Sequence, residues 1–384
     1  MSQILSRKPS GRRLNMQGAI AYAMQERKVS AMRLGLEALL MSRGRSGLDG
    51  KDYFLHGAWQ PGLTWAERRA FIGYAANRAL NEALNPVPTP ETRALIEDKL
   101  ATERRFIAAG LPVVPVKAVA AAKDPGSGLR WLDGPEAMLA FLRDPDALPC
   151  FGKPVSSSIG IGAVRVESRT PDGMLRLGDG RVVAAEDLVQ EIWADWSEGY
   201  IFAEIARPHP GMARLIGPVI GTLRVVTVDA GQGPEVLYAV QKCPAKDATV
   251  DSAAGPLGSF AAIDLGTGCI LREQDRRSLG GVDLAANAVT GVALKGQPVP
   301  DLADGLTMAR AAHACLGDHG ILGMDILLSD RGPMVNEANS NPHHSLYQTG
   351  FARGFLNPEL LPQLTAVRAR YRAVTPRPKL CPLK

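Results

Sequence analysis

The chain has 384 residues, 46% of them hydrophobic and 22% charged, enough apolar material to bury a sizeable core in two or three globular domains. No uncharged stretch reaches the roughly 18 residues that a membrane span needs, so no membrane partner is expected. A net charge of +5 with only 5% aromatic residues is mild and lacks the dense basic stripe of a nucleic-acid binder; it suits anionic small ligands such as nucleotides equally well.

The N-terminal arm carries Arg7, Lys8, Arg12 and Arg13 and no acid before Glu26. No apolar signal-peptide core follows, and a disordered basic arm is expected. Cys150, Cys243, Cys269, Cys315 and Cys381 are odd in number, scattered and without a CxxC pair. Free thiols in a reducing, cytoplasmic compartment follow, and structural zinc does not.

Ala, Met, Leu, Gln and Glu dominate from about Asn15 to Met41, which predicts a helix ended by Gly44 and Gly47. Thr64-Trp-Ala-Glu67 is a capping box, and the helix it opens is expected to run to about Leu84. Asn85-Pro-Val-Pro-Thr-Pro90 marks a domain boundary. The helical block before it carries no obvious chemistry and reads as a packing or partner-facing module. From Glu91 a helical pattern runs to Ala109, stopped by Gly110-Leu-Pro112. Asp98 fits equally as the N-cap of a shorter helix, which would set Lys99 at its positive end, where phosphates bind; the alternative is a solvated surface cluster. Leu111–Val116 is expected as a strand and Pro135–Arg143 as a short helix.

Cys150-Phe-Gly-Lys-Pro-Val-Ser-Ser-Ser-Ile-Gly-Ile-Gly-Ala-Val164 reads as strand, Ser/Gly loop, strand. Backbone N–H groups and hydroxyls of such a loop can wrap phosphate oxygens, with Lys153 adding a point charge. An ordinary hairpin turn fits the same residues. The lysine precedes the glycines and no GK[ST] occurs, so this is not a Walker A loop. Leu188-Val-Gln-Glu-Ile-Trp193 is expected as a strand whose end offers backbone groups to an adenine, with Ile192 and Trp193 as apolar cover and Asp195 or Glu198 in reach of ribose hydroxyls; a buried core strand is the other reading. Val219–Val228 and Glu235–Gln241 flank Asp229-Ala-Gly-Gln-Gly233 as a hairpin. Arg224, inside the apolar run Thr-Leu-Arg-Val-Val-Thr227, must reach solvent, an acid or an anionic ligand, and Lys242 can add a second positive charge. Ala262-Ile-Asp-Leu-Gly-Thr-Gly268 is a further turn between strands, and a helix is expected at about Leu302–Leu316 with His313 on its surface.

Gly323–Asn339 reads as a β-hairpin with arms Met324–Leu328 and Pro333–Ala338. With Asp330-Arg-Gly332 as a three-residue loop, Asp325 stands opposite Glu337 and Asn339 shares their face; a two-residue loop would pair Asp325 with Asn336 instead. Two carboxylates and a carboxamide on one face are hard oxygen ligands of the kind Mg²⁺ takes, although a solvated hairpin edge fits too. Ser340-Asn-Pro-His-His-Ser-Leu-Tyr347 follows at once, so His343, His344 and Ser345 are candidates to hold a substrate or a proton. The C-terminal segment from Leu356 carries Pro376, Pro378 and Pro382 and is expected to be poorly ordered at its tip.

In order, these pieces resemble the ATP-grasp superfamily. Asp98–Val113 is similar to the segment carrying the first phosphate-binding lysine of D-alanine–D-alanine ligases, Phe151–Gly162 to the second lysine and its phosphate-covering loop, Val189–Trp193 to the adenine-holding hinge, and Asp325 with Glu337-Ala-Asn339 to the magnesium set. Thr222–Thr227, the turn at Ala262–Gly268 and a helical leader at Asp52-Tyr-Phe-Leu55 look closest to the sugar-transfer-associated, α-L-glutamate-ligase-like group. The resemblance implies an α+β ATP-grasp fold, two subdomains sandwiching ATP between antiparallel sheets behind a helical N-terminal extension. The extension is expected at residues 1–90, the small subdomain at 91–196 and the large one at 197–384. It implies ATP held by Lys99, Lys153, Ser156, Ser157, Ser158, Gly160, Gln190, Glu191, Ile192, Trp193 and Asp195, and two Mg²⁺ ions on Asp325, Glu337 and Asn339. Arg224 and Lys153 are the expected catalytic residues, with Lys242, His343, His344 and Ser345 toward the substrate. The activity implied is a carboxylate–amine ligase acting through an acyl phosphate on small molecules; a hydroxyl kinase and a nucleotide-binding protein without turnover are the rivals.

Overall fold

The computed structural model describes residues 4–6, 14–126, 128–157, 160–245, 248, 258–275, 279–375 and 381–383. Two sheets carry the architecture. The strands are β1 (Val116–Ala120), β2 (Trp131–Leu132), β3 (Cys150–Pro154), β4 (Val164–Arg169), β5 (Leu175–Leu177), β6 (Val182–Val183), β7 (Tyr200–Ala203), β8 (Thr222–Val228), β9 (Glu235–Cys243), β10 (Ser259–Ile263), β11 (Ile270–Asp275), β12 (Ile321–Ser329) and β13 (Gly332–Asn339). The smaller body holds the order β2-β1-β7-β3-β4-β5-β6 and the larger β11-β10-β9-β8-β12-β13. Neighbours run antiparallel throughout, except the parallel pair β1 and β2.

Three differences from the sequence-based expectation share one cause, local pattern overridden by a cap or a crossing chain. The first helix ends at Arg27 because Lys28 turns left-handed (φ 53°), and Ser30 caps a second helix, Ala31–Arg43. The Thr64 capping box forms, but its helix closes at Arg69 and a new one runs over Tyr74–Leu84. Between them Gly73 lies against the backbone of Gly47, where a Cβ has no room. Residues 91–109 take the shorter-helix alternative: Asp98 ends the helix Pro90–Glu97 and caps the helix Lys99–Ala108, accepting from the N–H groups of Leu100 (2.8 Å) and Ala101 (3.1 Å). The strand expected at Leu111–Val116 starts only at Val116, and Val113 makes a single bridge to Val335.

The segment expected as an adenine-holding strand is a helix, Ala185–Trp196. Ala185, Leu188, Val189 and Ile192 recur at i, i+3, i+4 and i+7, a helical stripe buried against the smaller sheet. The strand is β7, whose four residues are all buried, so the smaller sheet continues past residue 196. Helix Pro135–Arg143 and the hairpins β3–β4, β8–β9 and β10–β11 fall where expected.

The larger sheet is covered on both faces. Helix Leu302–Cys315 packs on one, over Leu223, Val225, Ala239 and Ala261. His313 of that helix is buried, not on the surface, bonded to the Thr227 hydroxyl (2.8 Å) and the His319 carbonyl (2.9 Å). The N-terminal helix Tyr74–Leu84 and the helix Leu361–Tyr371 share a second core with Val226, Tyr238, Val240 and Phe260. Cys381 and Leu383 are buried in that core, so the tip expected to be loose is packed there; Pro376 and Pro378 lie outside the described residues. The five cysteines are free thiols. No helix among the described residues is long and apolar enough to cross a membrane.

Candidate functional site

A cleft opens between the two sheets. Phe151 and Lys153 of β3 and Arg165 of β4 line one side, Thr222 of β8, Leu327 of β12 and Asn336 of β13 the other. At its back the chain leaves β7 as Ala203-Glu-Ile-Ala206 and crosses toward the larger sheet. Glu204 is held there by its N–H, which donates to the Pro115 carbonyl (2.9 Å), and by an ion pair with Arg331 (3.0 Å).

The hairpin β12–β13 brings Asp325 opposite Glu337 and Gly323 opposite Asn339, as the three-residue loop predicts, but by another route. Near the turn the pairs are Ser329–Gly332 and Ile326–Val335, the register of a two-residue loop. One extra residue, Asn336, then bulges out and restores the Asp325–Glu337 pairing. Val335 at the bulge donates to the Pro112 carbonyl (2.9 Å), which covers the exposed edge of β13. The bulge turns Asn336 into the cleft, where its Oδ1 accepts from Lys153 Nζ (3.4 Å).

Asp325 is the hub of the charges. On its other side stands Arg224 of β8, directly paired in register. The Arg224 guanidinium donates to both carboxylate oxygens, through Nε to Oδ1 and through Nη2 to Oδ2 (2.9 Å), and Lys242 Nζ donates to Oδ2 (3.1 Å). Burial alone would push the Asp325 carboxyl up; Arg224 and Lys242 outweigh it and hold the pKa down to about 2. Burial also works against the Arg224 charge, and Asp325 overrides that and raises it.

Lys99 sits at the first position of its helix as expected, and its Nζ donates to the carbonyls of Ser157 (2.6 Å) and Val155 (3.4 Å). The first lysine is thereby tied to the loop that follows the second. Burial lowers the Lys99 pKa, Glu337 opposes that and Lys153 adds to it. Lys99, Lys153 and Glu337 are thus electrostatic neighbours. Gly160 and Gly162 take left-handed backbone (φ 74° and 77°), which lets the loop fold back on itself. Ser156 and Ser157 begin this loop; Ser158 lies outside the described residues. Its far end is fastened by Ser6, whose hydroxyl donates to the Gly160 carbonyl and whose own carbonyl accepts from Gly162 N–H (2.7 Å).

The expected adenine residues are elsewhere. Glu191 accepts from the N–H groups of Ile4 (2.8 Å) and Leu5 (3.1 Å), Ile192 is fully buried, Trp193 packs on the smaller core, and Gln190 and Asp195 are exposed on the helix, as is Glu198 beyond it. The lining at the cleft's back is Ala203–Ala206 instead. The signal for it was present: an apolar run, Tyr-Ile-Phe-Ala203, broken by Glu204.

Two of the candidate substrate residues have other surroundings. His344 is fully buried, stacked on Phe355 (3.7 Å between centroids), with Nδ1 bonded to the Tyr238 hydroxyl and Nε2 to Asn81 Oδ1 (both 3.0 Å). Burial drives its pKa well below the ordinary value, so the ring is neutral and structural. Ser345 opens the helix Ser345–Phe351. His343 is exposed, its ring against Tyr74 (5.3 Å).

Sequence reasoning missed what holds this loop. Asn77, Asn81 and Asn85 stand four apart on one face of helix Tyr74–Leu84 and its end. Asn81 Nδ2 donates to Asn341 Oδ1 (2.7 Å) and the Pro342 carbonyl (3.0 Å), Asn77 Oδ1 accepts from His344 N–H (2.8 Å), and Asn85 Nδ2 donates to the carbonyls of Ile321 (3.2 Å) and Ser340 (3.3 Å). The N-terminal block therefore grips the chain immediately after Asn339.

Asp325, Glu337 and Asn339 present hard oxygen donors on one side of the hairpin, which fits Mg²⁺ by donor type. The Asp325 oxygens are engaged by Arg224 and Lys242, whereas the Glu337 carboxylate accepts no hydrogen bond among the described residues, and Asn339 Nδ2 donates to the Gly323 carbonyl (3.4 Å), leaving its oxygen available. Among the described residues no three His, Cys, Asp or Glu side chains form a metal cluster.

No curated protein matches the chain by sequence. Among solved structures it is similar to the D-alanine–D-alanine ligase of Coxiella burnetii (15% identity, TM-score 0.42, 78% of this chain and 66% of that one). It is also similar to D-alanyl-alanine synthetase A of Vibrio cholerae (11%, 0.43, 76% and 68%) and to N5-carboxyaminoimidazole synthase of Aspergillus clavatus in complex with ADP and 5-aminoimidazole ribonucleotide (13%, 0.38, 71% and 55%). The chain thus spans about two thirds of the two bacterial proteins and about half of the fungal one. Residues 76–359 match the sugar-transfer associated ATP-grasp family, from the asparagine-bearing helix through the hairpin and the loop behind it, and the chain belongs to that family.

Proposed function

We propose that this protein is an ATP-dependent carboxylate–amine ligase. The observation that carries the reading is the ring of cations around two facing carboxylates: Lys99 and Lys153 on the side of the smaller sheet, Arg224 and Lys242 on the larger, with Asp325 and Glu337 between them. A carboxylate can approach a polyphosphate only where such charges offset the repulsion.

In this reading the nucleotide base lies against Ala203–Ala206, and the triphosphate runs beneath the Ser156–Gly162 loop past Lys153 and Lys99. Glu337 and Asn339, with Asp325, would hold Mg²⁺, which supplies neutralising charge to the phosphates when bound. Arg224 orients the substrate carboxylate. A carboxylate oxygen bonds to the γ-phosphorus as the bond to the β-phosphate oxygen breaks, releasing ADP. The amine nitrogen then bonds to the acyl carbon, the carbon–oxygen bond to phosphate breaks, and the amine gives up a proton. Use of ATP and the free thiols support a cytoplasmic location in this reading.

Release of ADP in a screen of acid and amine pairs tests the proposal. ADP release that requires both partners, with the amide seen by mass spectrometry, is the expected result. A stable phosphorylated hydroxyl compound would make the protein a kinase instead. Glu337→Gln should lower ADP release by about 100-fold or more, and undiminished turnover in that variant would remove the proposed metal site.

A further inference from the structure

Helix Ala31–Arg43 is apolar on two opposite faces. Leu34, Ala38 and Met41 are buried in the N-terminal core. Met32, Leu36, Leu39 and Leu40 lie on the other side and are 84%, 55%, 44% and 51% exposed. At about 100° per residue these four fall in one arc facing away from the buried three. A helix solvated on its outer face carries polar residues there, so a continuous apolar stripe marks a surface that meets something. The stripe continues into a cavity lined by Leu40, Arg45, Trp65, Arg69 and Leu356, with Trp65 itself 43% exposed.

Apart from Glu37, the charged residues of the helix and of the cavity lining are arginines. Arg43, Arg45 and Arg69 are exposed and form no ion pair among the described residues. Glu37, the one acid of the helix, is turned inward to Arg27 (2.6 Å) and the Tyr53 hydroxyl (2.7 Å). Two copies meeting through this face would set these arginines against one another with no acid between them. An apolar stripe flanked by unpaired arginines, with a tryptophan at its edge, instead matches the boundary of an anionic bilayer, where apolar side chains enter the acyl region and guanidinium groups meet lipid phosphates.

We propose that this face docks the protein on an anionic membrane surface. The sequence excludes only a spanning segment, and a surface contact revises the expectation that no membrane is engaged. The proposal does not depend on the chemistry assigned to the cleft.

The test is co-sedimentation of the full chain with phosphatidylcholine vesicles, with and without about a third phosphatidylglycerol, at low and high salt. Binding to the anionic vesicles should exceed binding to the neutral ones by about tenfold and fall at high salt. Leu36→Ser with Leu39→Ser, and separately Arg43→Glu with Arg45→Glu and Arg69→Glu, should each lower it by about tenfold, while the melting transition and vesicle-free ATP turnover stay as in the parent. Absence of binding to anionic vesicles at low salt overturns the proposal, as does binding that survives both variants. Dimerisation in light scattering that the leucine variant abolishes would instead assign the face to a second copy.

Discussion

Arg224 and Lys242 both donate to Asp325, so removing that one charge takes a counter-charge from a buried guanidinium and a half-buried ammonium. Asp325→Asn should destabilise the fold by about 3–5 kcal/mol, read from urea unfolding. The sign of the pH effect follows from the direction of the shift. The Asp325 pKa is lowered from 3.8 to about 2, so its contribution is fully present above about pH 4 and is lost as the pH falls toward 2. The difference in stability between parent and variant should shrink across that window. Lys153→Ala should raise the KM for ATP by about tenfold, since its amino group reaches Asn336 across the cleft. Each of these residues stood out in the sequence as a charge in an apolar strand or beside a glycine loop. Which charge meets which could not be read there, because Arg224 and Asp325 lie 101 positions apart and become neighbours only when β8 and β12 pair.

At the scale of the element, the bulge at Asn336 puts one more polar side chain into the cleft. Deleting Asn336 would leave a regular ladder in which Asp325 still faces Glu337, and would remove only the bulge and the side chain that meets Lys153 in the cleft. ADP release should fall less than in Glu337→Gln, with the KM for ATP raised and the circular dichroism spectrum retained. The alternation of apolar and polar residues foretold the hairpin and the facing of its two acids; the two-residue turn and the compensating bulge depend on the segment at Pro112 that covers the β13 edge. Helix Tyr74–Leu84 gives a second case. Asn81→Ala strips partners from Asn341, Pro342 and His344, and should cost about 2–3 kcal/mol in urea unfolding. Its asparagines are spaced for one helix face, a signal visible in the chain, but their target is 260 residues away.

For the whole molecule, the N-terminal helices are part of the body that carries the larger sheet. Gly320 lies so close to the Leu84 carbonyl, Tyr371 and Val367 that a Cβ would collide with all three, so Gly320→Ala should destabilise by about 1–3 kcal/mol. Buried histidines tie the same assembly together. Burial lowers the pKa of His56 and His313 from 6.5 to about 4, and drives that of His344 well below its ordinary value. The unfolded chain therefore binds more protons than the folded one as the pH falls from about 6.5 toward 4, and the melting temperature should decline across that range.

Period and punctuation along the chain determined the hairpins, the capped helices, the glycine loop after Lys153 and the grouping of Asp325, Glu337 and Asn339, since each rests on residues within a turn or a strand of one another. The tertiary structure alone decided that helix Ala185–Trp196 backs the smaller sheet, that Ala203–Ala206 forms the back of the cleft, that Asp325 is claimed by Arg224 and Lys242, and that His344 is a buried brace. Those outcomes depend on strand order and on which distant surfaces exclude water from one another, and neither is encoded in a local run of residues.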